Sequence, residues 1–351
     1  MNERYRVIVA GCGAMSGTWV DYAMQRPDTA IVGLVDLQPQ QAAALAGRHG
    51  LDCPTFTDIN EAIAATGANI VFDVTIPSSH YNIAMTALRQ GCHVFGEKPL
   101  AETIPECRDI VRLSGETGQL QAVMQNRRFD PRIRAYRSLI ADGTIGKVGY
   151  AGADFFLGPH FGGFREIMDS PLLLDMAIHT FDQARFILGA DPVSVYCHEF
   201  NPPGSWYKGH AMALCIFEMS DGSVFNYRGS WCAQGAPTSW EASWRVIGEK
   251  GSAIWNGHDE IYAESVVTER LDENGKLTFF QPAERIEGVI PAMDKTGHHG
   301  CLEDMFDALE TGRLPETHCS DNQYSMAMVL GSLESARIGQ KVWIADLLGS
   351  V

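Results

Sequence analysis

Arg6-Val-Ile-Val-Ala-Gly-Cys-Gly-Ala-Met-Ser-Gly17 decides how the rest of the chain is read. Val7, Ile8, Val9 and Ala10 form an apolar run too short for a helix and suited to a strand buried on both faces. Gly11 and Gly13 follow at once, and residues 14–25 are compatible with a helix. A strand, a tight glycine turn and a helix opening together seat a pyrophosphate. The turn lets backbone come close, and the helix N-terminus offers N–H groups with a partial positive charge. A lone Gly-x-Gly is common in loops, but here residues 30–35 read as a second strand running into Asp36, about twenty residues beyond the turn. An acidic side chain at that place can bind the adenosine ribose hydroxyls. A dinucleotide site is therefore expected, with contacts from Gly11, Gly13, Ala14, Met15, Ser16 and Asp36. Ser16 stands where the third glycine of such turns is usual, and serine is among the smallest residues for such a place. A carboxylate at Asp36 would repel a 2′-phosphate, and Leu37-Gln-Pro-Gln40 brings no basic residue to attract one, so NAD is favoured over NADP.

A length of 351 residues suits two domains, and the spacing of elements puts their boundary at 1–125 and 126–351. The chain is 45% apolar and 20% charged, ordinary globular material. A net charge of −16 weighs against nucleic acid or an anionic membrane as a partner. No segment has the length to span a bilayer, and the N-terminus lacks the apolar core of a signal peptide. The nine cysteines are scattered, odd in number and without a Cys-x-x-Cys pair. Neither a metal site nor a disulfide framework is expected, and a reducing cytoplasm suits them.

Along the first part, Pro39 opens a helix ending at Gly50, and Asp58-Ile-Asn-Glu61 and Thr103-Ile-Pro-Glu106 are capping-box patterns that open two more. Another helix spans residues 78–90, and residues 69–75, 92–96 and 120–124 read as strands. Strands alternating with helices specify a doubly wound parallel sheet of the Rossmann type. From Asp130-Pro131, which caps a basic helix to Ala141, the pattern changes. Strands near 147–156, 193–200, 211–218, 223–231 and 239–247 predict a largely antiparallel, open sheet in an α+β domain. Trp240, Ala242, Trp244 and Val246 alternate with Glu241, Ser243 and Arg245, which gives the last of these strands one broad apolar face. Residues 300–309 and 322–338 return to helical spacing.

Strand ends are where an open α/β sheet presents its ligand groups. Thr75-Ile-Pro-Ser-Ser-His80, Gly96-Glu-Lys-Pro99 and Met124-Gln-Asn126 end the last three of these parallel strands. By frequency alone Lys98 is a solvated surface residue. Its place at a strand end, before a proline that allows a cis bond, favours a role in the cleft. In Pro171-Leu-Leu-Leu-Asp-Met-Ala-Ile-His-Thr-Phe-Asp182, the residues Asp175, His179 and Asp182 share one face if the segment is helical, beside an apolar stripe of Leu174, Ile178, Phe181 and Leu188. A carboxylate beside an imidazole suits a general base, and Asp175 and Asp182 compete for that orienting role. The bland reading is a surface ion pair.

The glycine turn, Thr75-x-Pro77-x-x-His80, Glu97-Lys98-Pro99 and Asp175-x-x-x-His179, in that order, resemble the Gfo/Idh/MocA oxidoreductase family over nearly the whole chain. The resemblance implies a Rossmann domain followed by an α/β domain on an open sheet whose outer face commonly forms dimers or tetramers. The Trp240/Trp244 face, otherwise exposed, suits such a homodimer or homotetramer. The family's catalytic lysine, aspartate and histidine map to Lys98, Asp175 and His179, and its cofactor contacts to Gly11, Gly13, Asp36, Thr75, Pro77, His80, Glu97, Lys98 and Asn126. Substrate contacts are expected from Lys98, His160, Phe161, Arg165, Asp175, His179, Trp206, Tyr207 and His298. Ser170-Pro171 occupies the place where many members carry glycines, and no run like Gly-Gly-His-Gly-Gly of the glycoside-hydrolysing relatives is present. The implied activity is NAD-dependent oxidation of a secondary hydroxyl of a sugar, polyol or inositol, or reduction of the matching ketone. Its rivals are a glycosidase using NAD for transient oxidation and a non-catalytic dinucleotide-binding regulator.

Overall fold

The structure is a computed structural model that describes residues 4–349. The chain begins with β1 (Tyr5–Ala10), α1 (Ser16–Gln25), β2 (Thr29–Val35), α2 (Pro39–His49), β3 (Thr55–Phe56) and α3 (Ile59–Thr66). β4 (Ile70–Asp73), α4 (Pro77–Arg89), β5 (His93–Gly96), α5 (Ile104–Thr117) and β6 (Gln121–Val123) follow. The six strands form one parallel sheet in the order β3-β2-β1-β4-β5-β6, the Rossmann order. Val7, Ile8, Val9 and Ala10 are fully buried, as a strand covered on both faces must be. Thr103 and Glu106 close both halves of the capping box of α5, whereas Asp58 of α3 accepts from the Glu61 N–H alone. α1 starts two residues later than its sequence suggests, because the glycine turn runs on through Met15.

The next unit opens with α6 (Pro131–Ala141), whose Asp130 cap accepts from the Arg132 N–H, and β7 (Val148–Phe156). A short 3₁₀ turn (Gly163–Ile167) and a π-helix (Leu172–Ala177) lead into α7 (Ile178–Leu188). β8 (Pro192–Phe200), β9 (Met212–Met219), β10 (Val224–Ser230), β11 (Ser243–Gly248), β12 (Gly251–Trp255), β13 (Ile261–Ser265) and β14 (Glu284–Glu287) come next. α8 (Gly297–Thr311), α9 (Cys319–Ile338), β15 (Val342–Trp343) and α10 (Ile344–Leu348) complete the chain. The second sheet has nine strands in the order β14-β13-β12-β11-β7-β10-β9-β8-β15. Every pair is antiparallel except β7 with β10.

The contacts divide the chain into two units, the first running to Phe129 and adding Asp294–Met326, the second holding the remainder. α8 thus belongs to the first unit although it lies far along the sequence. Its Phe306 meets Tyr5, Phe72 and Phe95 edge-on, with centroids 5.1, 6.2 and 5.3 Å away, and so covers the parallel sheet.

One expectation is corrected. The strand read over 239–247 begins only at Ser243, because Ala242 takes a left-handed φ of 64° that breaks the alternation. Trp240 stays outside it, half exposed. Trp244 and Val246 do not face solvent: they lie on the inner face with Phe155, Phe217, Phe225, Tyr227 and Trp255. α7 covers that face through Phe181, 5.0 Å from Phe217 and 5.1 Å from Tyr227, and α6 covers it through Tyr136, 5.8 Å from Trp255. The apolar residues left exposed lie on the opposite face: Tyr196, Leu214, Ile216 and Ile247. Trp244→Ala should therefore lower stability by about 3–5 kcal/mol, as large-to-small core changes do, whereas Trp240→Ala should cost under about 1 kcal/mol. Thermal melts followed by circular dichroism check the contrast, and equal effects would place both indoles in one environment.

Candidate active site

At the end of β1, Gly11 has a φ of +85°, and a Cβ there would lie 2.4 Å from the Val74 carbonyl oxygen. Nothing but glycine fits between the two strand ends. A Cβ on Gly13 would meet nothing within 4 Å, so that position faces open space above the turn. Met15 precedes α1 without a side-chain cap, and the first turn of the helix carries no acidic residue. Its N–H groups and dipole are thus left for an outside anion. Ser16 is fully buried and donates its hydroxyl to the Gly13 carbonyl at 2.6 Å, which explains how the turn accepts a side chain at this place. Asp36 accepts from the Cys12 N–H at 2.9 Å and from the Gln38 N–H at 2.8 Å, so its carboxylate is fixed beside the turn. An open anion seat, a close backbone approach and a fixed ribose-facing carboxylate fit a dinucleotide.

The ends of β4, β5 and β6 stand level with this turn, because Ala10 pairs Asp73, Asp73 pairs Gly96 and Gly96 pairs Val123. Thr75 donates its hydroxyl to buried Asp73 at 2.5 Å. Burial pushes the Asp73 carboxyl above the usual range, against the pull of His80 and Thr75. Pro77 is the first residue of α4. His80 is buried; its Nδ1 lies 2.6 Å from the Pro99 carbonyl and its Nε2 3.1 Å from that of Thr75. It ties the end of β4 to the segment just past Lys98. Glu97 accepts from the Trp19 indole at 3.0 Å, and the Lys98–Pro99 bond is cis. Asn126 opens the 3₁₀ turn Asn126–Phe129 after β6. His298, the second residue of α8, joins this group: burial lowers its pKa, while the charge of nearby Glu97 raises it. The first unit therefore gathers Thr75, His80, Glu97 and His298 around the strand ends. Trp19 and Asp73, members of the same group, carry no chemical motif and were invisible in the sequence.

In the second unit β7 and β10 run parallel, so both deliver their C-terminal ends to the edge where β8 ends and β9 and β11 begin. The loops at that edge carry the remaining candidates. His160 stacks on Trp206 with centroids 3.8 Å apart, and its Nε2 lies 3.0 Å from the Gln234 amide nitrogen. Tyr207 is buried, donates its hydroxyl to the Pro159 carbonyl at 3.0 Å and stacks over Trp231. Phe161 meets Trp231 and Trp240. Trp231 and Gln234 escaped the sequence reading; their position just past β10 becomes meaningful only once β10 is known to run beside β7.

Asp175 lies in the π-helix and His179 at the start of α7, so the single α-helical face expected for Asp175, His179 and Asp182 does not exist as such. The i→i+5 bonding widens the turn between the first two. Leu174 is exposed rather than part of the apolar stripe, whereas Ile178 and Phe181 are buried. Arg165 pairs with Asp175, Nε to Oδ2, at 2.5 Å. Asp182 is buried. Glu199, at the end of β8, accepts from Ser170 at 2.9 Å, and burial raises its carboxyl above the usual range while Ser170 and His210 pull it back.

Known proteins share this arrangement. A family profile described as oxidoreductase family, NAD-binding Rossmann fold, matches residues 5–125, and the C-terminal domain profile of the same family matches residues 133–254. The chain belongs to the Gfo/Idh/MocA family. It is thus an oxidoreductase with an NAD-binding Rossmann domain, like other Gfo/Idh/MocA proteins. A 1,5-anhydro-D-fructose reductase of Ensifer adhaerens is 25% identical, over 94% of this chain and 96% of its own. An inositol 2-dehydrogenase of Rhizobium meliloti is 31% identical over 53% of this chain and 55% of its own. An oxidoreductase from Agrobacterium radiobacter, solved with NAD+, L-tartaric acid and magnesium, superposes with a TM-score of 0.83 at 19% identity, over 98% of this chain and all (100%) of that one. Among the described residues no helix is long and apolar enough to cross a membrane, and no group of three His, Cys, Asp or Glu is placed to hold a metal.

Two predictions follow from this geometry. Gly11→Ala adds a Cβ against Val74 and about 1–2 kcal/mol of left-handed strain, so it should lower both the melting temperature and NAD affinity. Gly13→Ala should leave the melting temperature nearly unchanged and weaken NAD alone, which protein fluorescence titration and thermal melts separate. For Glu199, a folded-state pKa above the unfolded one costs stability as pH rises through that interval, and the full cost remains above it. Glu199→Gln should therefore stabilise the protein at pH 8 relative to pH 4; an equal effect at both values would mean the carboxyl is not shifted.

Proposed function

We propose that this chain is an NAD-dependent dehydrogenase that oxidises a secondary hydroxyl of a sugar, polyol or inositol, or reduces the matching ketone. The observation that carries the reading is the level alignment of the glycine turn with the Glu97-Lys98 strand end. Lys98 thereby stands at the same sheet edge as the glycine turn. The names of the relatives, which act on anhydrofructose and inositol, support the substrate class.

Bound NAD supplies a hydride acceptor for the carbinol carbon. Gly11, Gly13, Ala14, Met15 and Ser16 hold its pyrophosphate through backbone N–H groups, and Asp36 binds the ribose hydroxyls and repels a 2′-phosphate. Thr75, Pro77, His80, Glu97 and Asn126 shape the remainder of that edge. His179 takes the hydroxyl proton as general base, and Lys98 places an ammonium at the developing alkoxide. Asp175 holds a negative charge that favours the imidazolium. His160, Phe161, Trp206, Tyr207 and His298 present ring faces and polar edges suited to a carbohydrate. The unit running to Phe129 and adding Asp294–Met326 serves the cofactor, and the remainder serves substrate and assembly. The exposed Tyr196, Leu214, Ile216 and Ile247 face is where two or four copies pair, and the nine unpaired thiols suit the cytoplasm.

Lys98→Ala and His179→Ala should each lower turnover by roughly 10²–10⁴-fold while NAD affinity changes little. NADH absorbance, read across a panel of sugars, inositols and glycosides with NAD and NADP in parallel, checks the reading. Full turnover in either variant removes that residue from the mechanism. Glycoside cleavage without net NADH would instead establish the transient-oxidation glycosidase.

A further inference from the structure

We infer that Arg165 is a positioning residue that acts through Asp175. The inference rests on the reading of Asp175 as part of the catalytic set. The Arg165 Nε–Asp175 Oδ2 contact of 2.5 Å joins a side chain one-third exposed to one only 15% exposed. A guanidinium keeps its charge at any working pH and binds in a fixed plane, so this contact sets the orientation of the carboxylate.

The arginine is itself held. Its guanidinium carbon lies 5.1 Å from the Phe161 ring centroid and 4.7 Å from that of Phe164, two faces that restrict its motion. The segment that carries it is braced as well. Gly162 and Gly163 both take positive φ, 68° and 67°, which turns the chain sharply before the 3₁₀ stretch. The Gly162 N–H donates to the Glu166 carboxylate at 3.1 Å, closing the turn, and the Glu166 carbonyl accepts from the Lys208 N–H at 2.8 Å. Tyr207 anchors the other flank through Pro159. An ion pair between mobile surface side chains has none of these supports and contributes little. Here the backbone, two rings and a neighbouring loop deliver one guanidinium to one carboxylate.

A double-mutant cycle on the NAD-loaded enzyme tests the inference. Arg165→Met should lower kcat by roughly 10–100-fold with KM changed less than about threefold, the size of effect that misplacing a catalytic group produces. Arg165→Lys should recover part of that loss. In an Asp175→Asn background the same Arg165→Met change should cost less than about twofold, since the group it positions is gone. Melting temperature and NAD affinity, measured alongside, should stay near wild type; if Arg165→Met melts early, Arg165→Lys in the same two backgrounds decides. Losses that multiply in the cycle overturn the inference, as does a KM rise at constant kcat, above all one confined to acidic sugars. Should Asp175→Asn and His179→Ala both keep full turnover, the catalytic assignment itself fails, an outcome separate from a cycle that merely multiplies.

Discussion

The close approach of β1 to the chain leaving β4 is the constraint on which the first unit depends. Gly11 leaves no room for a side chain against Val74, and the backbone bonds there are short: Val74 N–H to the Ala10 carbonyl at 2.7 Å and Gly11 N–H to the Val35 carbonyl at 2.8 Å. Three strand ends are thereby pinned at one point. Because parallel strands in register share a common edge, pinning β1, β2 and β4 also fixes where β5 and β6 must end. Asp36, Thr75, Glu97 and Asn126 lie along one sheet edge for that reason.

Local devices appear one layer further out, and they are polar. Asp73, His80, Thr75, Glu97 and Trp19 form a set of buried or half-buried bonds behind the strand ends. Such a set adds little net stability, since each charged or polar group gives up its water. What it supplies is geometric: the imidazole spans from the end of β4 to the residue after Lys98, so the two strand ends cannot drift apart without breaking a buried bond. A buried carboxyl whose pKa is raised, as in Asp73, is the ordinary mark of a group retained for position rather than for stability.

Much of this was legible in the sequence because it is written in short-range signals. Periodicity, the glycine turn, the Thr103 and Asp58 caps and the strand-ending Glu97-Lys98-Pro99 all act within a few residues, and every element of the parallel sheet except the two-residue β3 followed from them. Signals that depend on partners far along the chain were not legible. α8 closes the first sheet from nearly 300 residues away, and its Phe306 looks like any helical phenylalanine until Tyr5, Phe72 and Phe95 surround it. The alternation around Trp244 correctly marked an apolar face but could not say whether helices of the same chain covered it. A single left-handed residue, Ala242, separated Trp240 from the strand it was assigned to. The π-helix at Asp175 was hidden because its sequence has ordinary α-helical composition, and only the bonding pattern distinguishes the two.

The two halves of the proposed machinery are therefore built on different principles. Cofactor groups sit at the ends of strands whose register is set by a buried sheet, and changing one side chain there leaves the others in place. Groups assigned to the substrate sit on loops at the edge of the second sheet, braced by ring stacking among His160, Trp206, Tyr207 and Trp231 and by the hold of Arg165 on Asp175. Loops tolerate substitution and insertion far better than a packed sheet does. A fold shared at 19% identity with a TM-score of 0.83 shows how widely side chains can change on one scaffold. In residues 157–170, 201–210 and 231–242, stacking and one ion pair replace the regular bonding of a sheet.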